Sequence, residues 1–153
     1  KNQGGPGVRH SFALCSLNVS HNKGEKKSPV AALELVVDHG ITGDAHAGNW
    51  HRQISLLADE DIETMRGHGI EISYGDFAEN ITTRGVSLSA LPVGTRLVLG
   101  EAVVEVTQIG KECHQGCAIR EAVGDCVMPR KGIFAKVITP GRITCESPCY
   151  YDL

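Results

Sequence analysis

The chain has 153 residues, a formal net charge of −3, 41% hydrophobic and 22% charged residues. That length fits one domain with a core large enough to fold without disulfide staples, and the slight negative charge without a long basic run argues against a nucleic-acid partner, which needs a clustered positive surface. No apolar run approaches the roughly 20 residues of a membrane helix, so no membrane partner is expected. Residues 1–10 are polar and glycine-rich, lack the apolar centre of a secretory signal, and are expected to form a flexible lead-in to one domain over residues 11–153. The six cysteines, Cys15, Cys113, Cys117, Cys126, Cys145 and Cys149, are then expected to be mostly reduced thiols in a cytoplasmic protein. Cys15 lies in an apolar stretch and reads as a small buried hydrophobe.

Residues 11–19 predict a first strand and residues 30–37, rich in Val, Leu and Ala, a second. Residues 39–51 form a loop punctuated by glycine and carrying His39, His46 and His51. Residues 53–57 predict a short buried strand. A helix is predicted over residues 58–66: its first turn is acidic, which suits the positive end of the helix dipole, Ile62 and Met65 share a face, and Gly67 and Gly69 stop it. Residues 79–83 read as extended. Leu91-Pro92-Val93-Gly94 is a turn into a strand over 96–99, and Gly100-Glu101 joins this to a strand over 102–109, a hairpin whose second arm alternates as a half-wet strand does. Residues 117–123 suit one or two helical turns, residues 132–138 a strong strand, Pro140-Gly141 a turn, and residues 149–151 a closing strand. Many short strands with glycine-rich turns predict a mostly-β, closed or strongly bent sheet with one or two short helices.

Four constellations could carry chemistry. In Gly110-Lys111-Glu112-Cys113-His114-Gln115-Gly116-Cys117, Cys113 stands at a strand end beside Lys111 and His114, cations that stabilise a thiolate. A thiolate binds soft metals and accepts sulfur. The same spacing suits a buried structural cysteine, or a zinc site of Cys113, His114, Cys117 and Cys126 that lacks the usual half-site spacing. The second, Asp38 to Gln53, offers glycines that let backbone approach a ligand, histidines and carboxylates suited to a divalent metal, and Arg52 for a bidentate hold on phosphate; a solvated loop held by its own polar side chains reads equally well. The third contains Glu79 and Asn80, the amide able to orient a heterocycle or oxo group, or else to shape a turn. The fourth, Arg120, Arg130, Lys131 and Lys136, offers anion contacts or a plain charged surface.

Taken in order, these segments resemble one family. Gly43-Asp44-Ala45-His46-Ala47-Gly48 with His51-Arg52-Gln53-Ile54-Ser55-Leu56-Leu57 looks like the opening motif of small bacterial MOSC domains, named for the molybdenum cofactor sulfurase C-terminal domain. Phe77-Ala78-Glu79-Asn80-Ile81-Thr82-Thr83-Arg84-Gly85 is similar to the next family segment, and Leu91-Pro92-Val93-Gly94-Thr95-Arg96-Leu97-Val98-Leu99-Gly100 to the one after it. Gly110-Lys111-Glu112-Cys113 falls where the family has its key cysteine, and Gly132-Ile133-Phe134-Ala135-Lys136-Val137-Ile138 with Pro140-Gly141-Arg142-Ile143 completes a match from about Leu14 onward. The resemblance implies a distorted β-barrel of the MOSC, pyruvate-kinase-barrel-like kind. It implies a link to molybdenum cofactor (molybdopterin), with Cys113 as the catalytic cysteine, either ligating molybdenum or carrying sulfur as a persulfide. His46, Glu79 and Asn80 would line the cofactor pocket, and Arg52 and Lys111 would hold its anionic parts. Pyridoxal phosphate is not expected in this domain. The partners implied are a cysteine desulfurase or cofactor-biosynthesis proteins, with an electron-donor protein if the chain instead reduces N-hydroxylated compounds. A non-catalytic binding module with structural zinc is the remaining alternative.

Overall fold

A computed structural model describes residues 8–110 and 131–153. Its strands, in chain order, are β1 (Arg9–Val19), β2 (Ser28–Val30), β3 (Ala32–Val36), β4 (Gly40–Ile41), β5 (Ile54–Ala58), β6 (Ile81–Arg84), β7 (Arg96–Leu99), β8 (Ala102–Ile109), β9 (Ile133–Thr139), β10 (Gly141–Thr144) and β11 (Cys149–Asp152); the helix α1 (Asp59–Arg66) follows β5 directly. The sheet runs β11-β7-β8-β9-β5-β6-β1-β2, and β11 also pairs with β1, which closes seven of these strands into a barrel with β2 hanging from β1. A closed ring with an odd number of strands cannot be antiparallel throughout. Here one pairing, β5 with β6, is parallel, and the other six are antiparallel. Parallel neighbours need a crossover connection, and α1 with the loop behind it supplies that connection.

This explains why β5 is buried at every position. Ile54, Leu56 and Ala58 face the barrel interior with Leu17, Ile81, Val104, Val106, Ile133 and Ala135. Leu57 faces outward, where α1 covers it with Ile62 and Met65, joined by Ile72, Phe77 and Phe134. A strand covered on both faces reads as a continuous apolar run. The acidic first turn of α1 does more than answer the helix dipole: Asp59 accepts hydrogen bonds from Tyr74 (2.8 Å) and Arg84 (3.0 Å), tying the helix to the loop after it and to β6.

Three differences from the sequence reading are local. The single strand expected over residues 30–37 is two, separated by a bend at Ala31. β2 stays on β1, whereas β3 joins a small sheet of order β10-β3-β4, whose Leu33, Leu35, Ile41 and Ile143 enter the barrel core. The chain enters the barrel at Arg9, two residues before the expected start, because Arg9 and His10 pair with Asp152 and Tyr151. Gly141 already belongs to β10. The helical turns expected over residues 117–123 lie outside the described residues.

The β8–β9 ladder shifts register twice, between Val103 and Val104 and between Val106 and Gln108, and the second shift is a bulge that bears on the site. Val106 pairs with Ala135 but Gln108 pairs with Phe134, so Thr107 is the extra residue. Strict alternation from Ala102, Val104 and Val106 would send Gln108 into the core. The bulge resets the alternation and turns Gln108 to the outer face beside Phe134, a re-aiming that bulges at barrel rims commonly perform.

Candidate functional site

The loop between β4 and β5 carries His46 and Arg52, and the candidate residues that the structure describes fall in three hydrogen-bonded networks in and behind it. The first is built on Gln108. Its Oε1 accepts from Arg52 Nε (3.1 Å) and lies 2.9 Å from His51 Nε2, and its Nε2 donates to the Gly110 carbonyl at 2.8 Å. Because Arg52 can only donate, Gln108 must present its oxygen there, and His51 must present a protonated Nε2 to the same oxygen. Thr107 Oγ1 donates to the His51 carbonyl, so the bulged residue and the re-aimed one both grip this loop. The Arg52 guanidinium lies over Phe134, 5.1 Å from the ring centre. Arg52 is thus held in one plane by a side chain on β8 and a ring on β9, and it is half-buried where His51 is exposed. A guanidinium fixed in this way is pre-organised for a planar, bidentate anion.

The second network surrounds His46. Lys27 and Asp44 form an ion pair of 2.8 Å with no exposed side-chain surface on either partner. Lys27 Nζ also reaches Ser20 Oγ and His46 Nδ1, each at 3.1 Å. Asp44 accepts the backbone N–H of Ser20 at 3.2 Å on one oxygen and that of His46 at 3.0 Å on the other. Burial works to raise the Asp44 pKa, but the hydrogen bonds from His46 and Lys27 and the lysine charge win and hold it well below the usual carboxylate range. Trp50 Nε1 donates to the His46 carbonyl at 2.9 Å, and its ring meets His51 edge-on, so His46 and His51 are joined through Trp50.

The third network contains Glu79 and Asn80, both wholly buried. Glu79 accepts the backbone N–H groups of Gly75 (2.9 Å) and Phe77 (3.2 Å) and the Thr82 hydroxyl (3.0 Å). Asn80 accepts the Ser55 N–H at 3.0 Å and donates to the Asn18 carbonyl at 3.2 Å. These bonds lace β1, β5 and β6 together and cap the loop that leads into β6. The structure therefore places Glu79 and Asn80 in the frame, with no surface of their own. Burial raises the Glu79 pKa, and the hydrogen bonds it accepts offset only part of that effect. The loop touches the second network through the Lys27 N–H, which donates to the Gly75 carbonyl at 2.9 Å.

Cys113, Lys111, His114, Cys117, Cys126, Arg120 and Arg130 lie outside the described residues. Of the described members of the fourth group, Lys131 and Lys136 are exposed, and Lys136 faces Glu105 at 4.0 Å. The described cysteines are poor nucleophiles: burial pushes up the thiols of Cys15 and Cys145 and carries Cys149 to about 12. Among the described residues no group of three or more His, Cys, Asp or Glu side chains is placed to hold a metal ion, and no helix is long and apolar enough to cross a membrane. An open cleft of about 310 Å³ at the start of α1 is lined by Glu60 and Asp61 with Ala58, Gly85, Val86 and Ser87, and contains none of the residues above. Lys27 and Gln108, two residues on which these networks turn, belong to none of the sequence constellations.

The sequence model of the MOSC domain matches residues 43–150. No curated protein sequence matches the chain. Among solved structures, the YuaD protein from Bacillus subtilis superimposes with a TM-score of 0.80 at 18% identity, covering 96% of this chain and 99% of that one. YiiM from Escherichia coli gives 0.67 at 19% identity, covering 94% and 70%, and YiiM from Geobacillus stearothermophilus gives 0.67 at 20%, covering 93% and 75%. At these identities the likeness concerns the fold.

Proposed function

Since this chain belongs to the MOSC domain family, a family associated with molybdenum cofactor, we propose that it handles that cofactor or its sulfur through the thiolate of Cys113. The observation that carries this reading is the clamp on Arg52. Gln108 ties Arg52 and His51 to the carbonyl of Gly110, and Gly110 opens the Gly110-Lys111-Glu112-Cys113 motif. A fixed guanidinium therefore stands close in space to Gly110, the described residue that precedes Lys111 and Cys113.

The donor set fits an anionic, oxygen-rich cofactor better than a bare metal ion. Arg52 and His51 contribute N–H donors, which suit phosphate and oxo groups, whereas a metal site would need converging ligands. Arg52, with Lys111, would hold the anionic parts of the group, and His46 would contact it from the same loop. Glu79 and Asn80 would serve by fixing the frame behind that loop. Molybdenum, when bound, supplies two-electron redox chemistry. The protein's own contribution is to bind, to orient, and to present one sulfur.

In the sulfur-carrier form of the reading, the Cys113 thiolate attacks the outer sulfur of a donor persulfide, such as that of a cysteine desulfurase. A new S–S bond forms on Cys113 as the donor's S–S bond breaks, and the donor leaves as a thiolate. The deciding experiment is elemental analysis with intact mass on freshly purified protein, beside Cys113→Ser. Molybdenum with pterin, lost in the variant, establishes cofactor binding. A sulfur-sized mass increment that reductant removes and Cys113→Ser lacks establishes carriage. Neither signal, even after incubation with cofactor or a persulfide donor, sinks the proposal.

A further inference from the structure

Lys27 stands at the centre of the second network and has no part in the reading above. Its Nζ has three neighbours: Asp44 Oδ1 at 2.8 Å, Ser20 Oγ at 3.1 Å and His46 Nδ1 at 3.1 Å. An ammonium has three protons and no lone pair. With no exposed side-chain surface, Lys27 is out of bulk water, and its three protons match these three acceptors among the described residues one for one. His46 Nδ1 must then offer its lone pair. The competing partner for a proton on Nδ1 is Asp44 Oδ2, and a ring N–H aimed at it would also favour the lowered Asp44 pKa, but it lies 3.7 Å from Nδ1 and already accepts the His46 backbone N–H at 3.0 Å, and 3.7 Å is beyond hydrogen-bond length whereas Lys27 Nζ is at 3.1 Å. The His46 peptide is pinned on both sides, by Asp44 at its N–H and by Trp50 at its carbonyl, which anchors the residue beside Lys27.

We infer that Lys27 is a positioning residue that fixes His46 as a neutral imidazole with its proton on Nε2, so that the partly exposed side chain presents an N–H donor. The consequence is chemical. In this state His46 is neither a general base nor a metal ligand through Nδ1. It is a donor to an acceptor oxygen of a phosphate, oxo or carboxylate group, the same ligand class that Arg52 suits. The inference rests on the proposed function for its ligand class, but the tautomer is a property of the ligand-free protein and can fail or hold independently of Cys113.

The test uses the full chain with ¹⁵N-labelled histidine and two-bond ¹H–¹⁵N correlation spectra near neutral pH, His46 being assigned by its loss in His46→Gln. The expected wild-type pattern has Nε2 protonated and Nδ1 bare and hydrogen-bonded. A proton on Nδ1, alone or with Nε2, overturns the inference. Lys27→Met should release the tautomer, with the Nδ1–H form appearing as Asp44 becomes the ring's near acceptor; an unchanged Nε2–H pattern shows that something else sets it. Should that variant not fold, the pair Lys27→Met with Asp44→Leu removes the buried charge and leaves neither residue a polar group beside Nδ1; the ring should then populate both tautomers, and a pure Nε2–H pattern overturns the role given to Lys27. Inorganic phosphate titrated into the wild type should move the Nε2–H resonance without changing the tautomer, and a ring that ignores phosphate or loses its Nε2 proton rules out the donor role.

Discussion

Asp44 and Glu79 are both carboxylates taken out of water, in neighbouring networks of one protein, yet they are displaced in opposite directions. Burial raises both. Asp44 faces a lysine and two backbone N–H groups and ends below the ordinary range. Glu79 receives as many hydrogen bonds, all from neutral donors, and ends above it. The kind of donor and the depth of burial separate them: one of the Asp44 donors is an ammonium 2.8 Å away, and Asp44 keeps a little exposure where Glu79 has none. The two sites teach that a buried acid within a motif can be an ionised organiser or a reluctant one, according to a residue far away in sequence.

Lys27→Met should be the most damaging way to break this contrast, because it makes Asp44 resemble Glu79. It strands a buried carboxylate, and the expected loss is about 3–5 kcal/mol, read from denaturant unfolding at neutral pH. Adding Asp44→Asn should recover part of that loss, and a double variant no better than the single one would show that the charge was not the cause. Next comes Gly75→Ala, at the joint of the two networks. Gly75 has a φ of +93°, and a Cβ there would lie 2.1 Å from the Lys27 carbonyl oxygen. Strain and backbone collision together should cost about 3 kcal/mol, and because the loop presses on Lys27 the variant should also disturb the His46 ring signals.

The pH dependence sharpens the comparison. Glu79 has a folded pKa above its usual value of 4.5, so the folded state binds more protons than the unfolded one between the two values, and stability falls as pH rises through that window. Asp44 has the reverse sign: its contribution is complete above the ordinary aspartate value of 3.8 and is lost as pH falls below it. Wild-type stability should therefore climb out of strong acid and then decline through the Glu79 window. Glu79→Gln should shrink the declining limb, to which Asp61, also raised by burial, contributes, while costing about 1–2 kcal/mol, since an amide nitrogen would oppose the Gly75 or Phe77 N–H. Unfolding midpoints across acid to neutral pH measure both limbs; a limb that survives in Glu79→Gln belongs to another group.

These contrasts also mark what the sequence made legible. The β7–β8 hairpin was readable to the residue, because its alternation and its turn at Gly100, with a φ of +62°, are local signals. The odd-stranded closure was not readable, since it depends on which distant edges meet. Arg52 and His46 stood out in a glycine-rich motif. Lys27 did not, because it follows Lys23 and Lys26 in a polar run and only the path of the chain takes one of the three out of solvent. Gln108 was hidden by the bulge at Thr107, which a strict alternation cannot anticipate. Glu79 and Asn80 have residue types that suit a ligand pocket and a buried frame equally, and burial is what separates the two.

The gentlest perturbation completes the comparison from the other side. The His51–Arg52–Gln108 network has exposed and half-buried members, and no buried charge depends on it. Arg52→Lys keeps the charge but loses the Nε bond to Gln108, the contact over Phe134 and the planar fork. Its stability should stay within about 0.5 kcal/mol of wild type. If Arg52 faces the ligand, loading of molybdenum or sulfur should fall on the order of tenfold, the worth of one charge-assisted hydrogen bond of about 1.4 kcal/mol. Gln108→Met should reproduce that loss with Arg52 intact, because it frees the guanidinium from its plane. A protein that unfolds unchanged but loads poorly in both variants would separate this rim from the Asp44 and Glu79 networks, where the same number of lost bonds costs the fold itself. Normal loading in both would assign the Arg52 clamp to holding the loop.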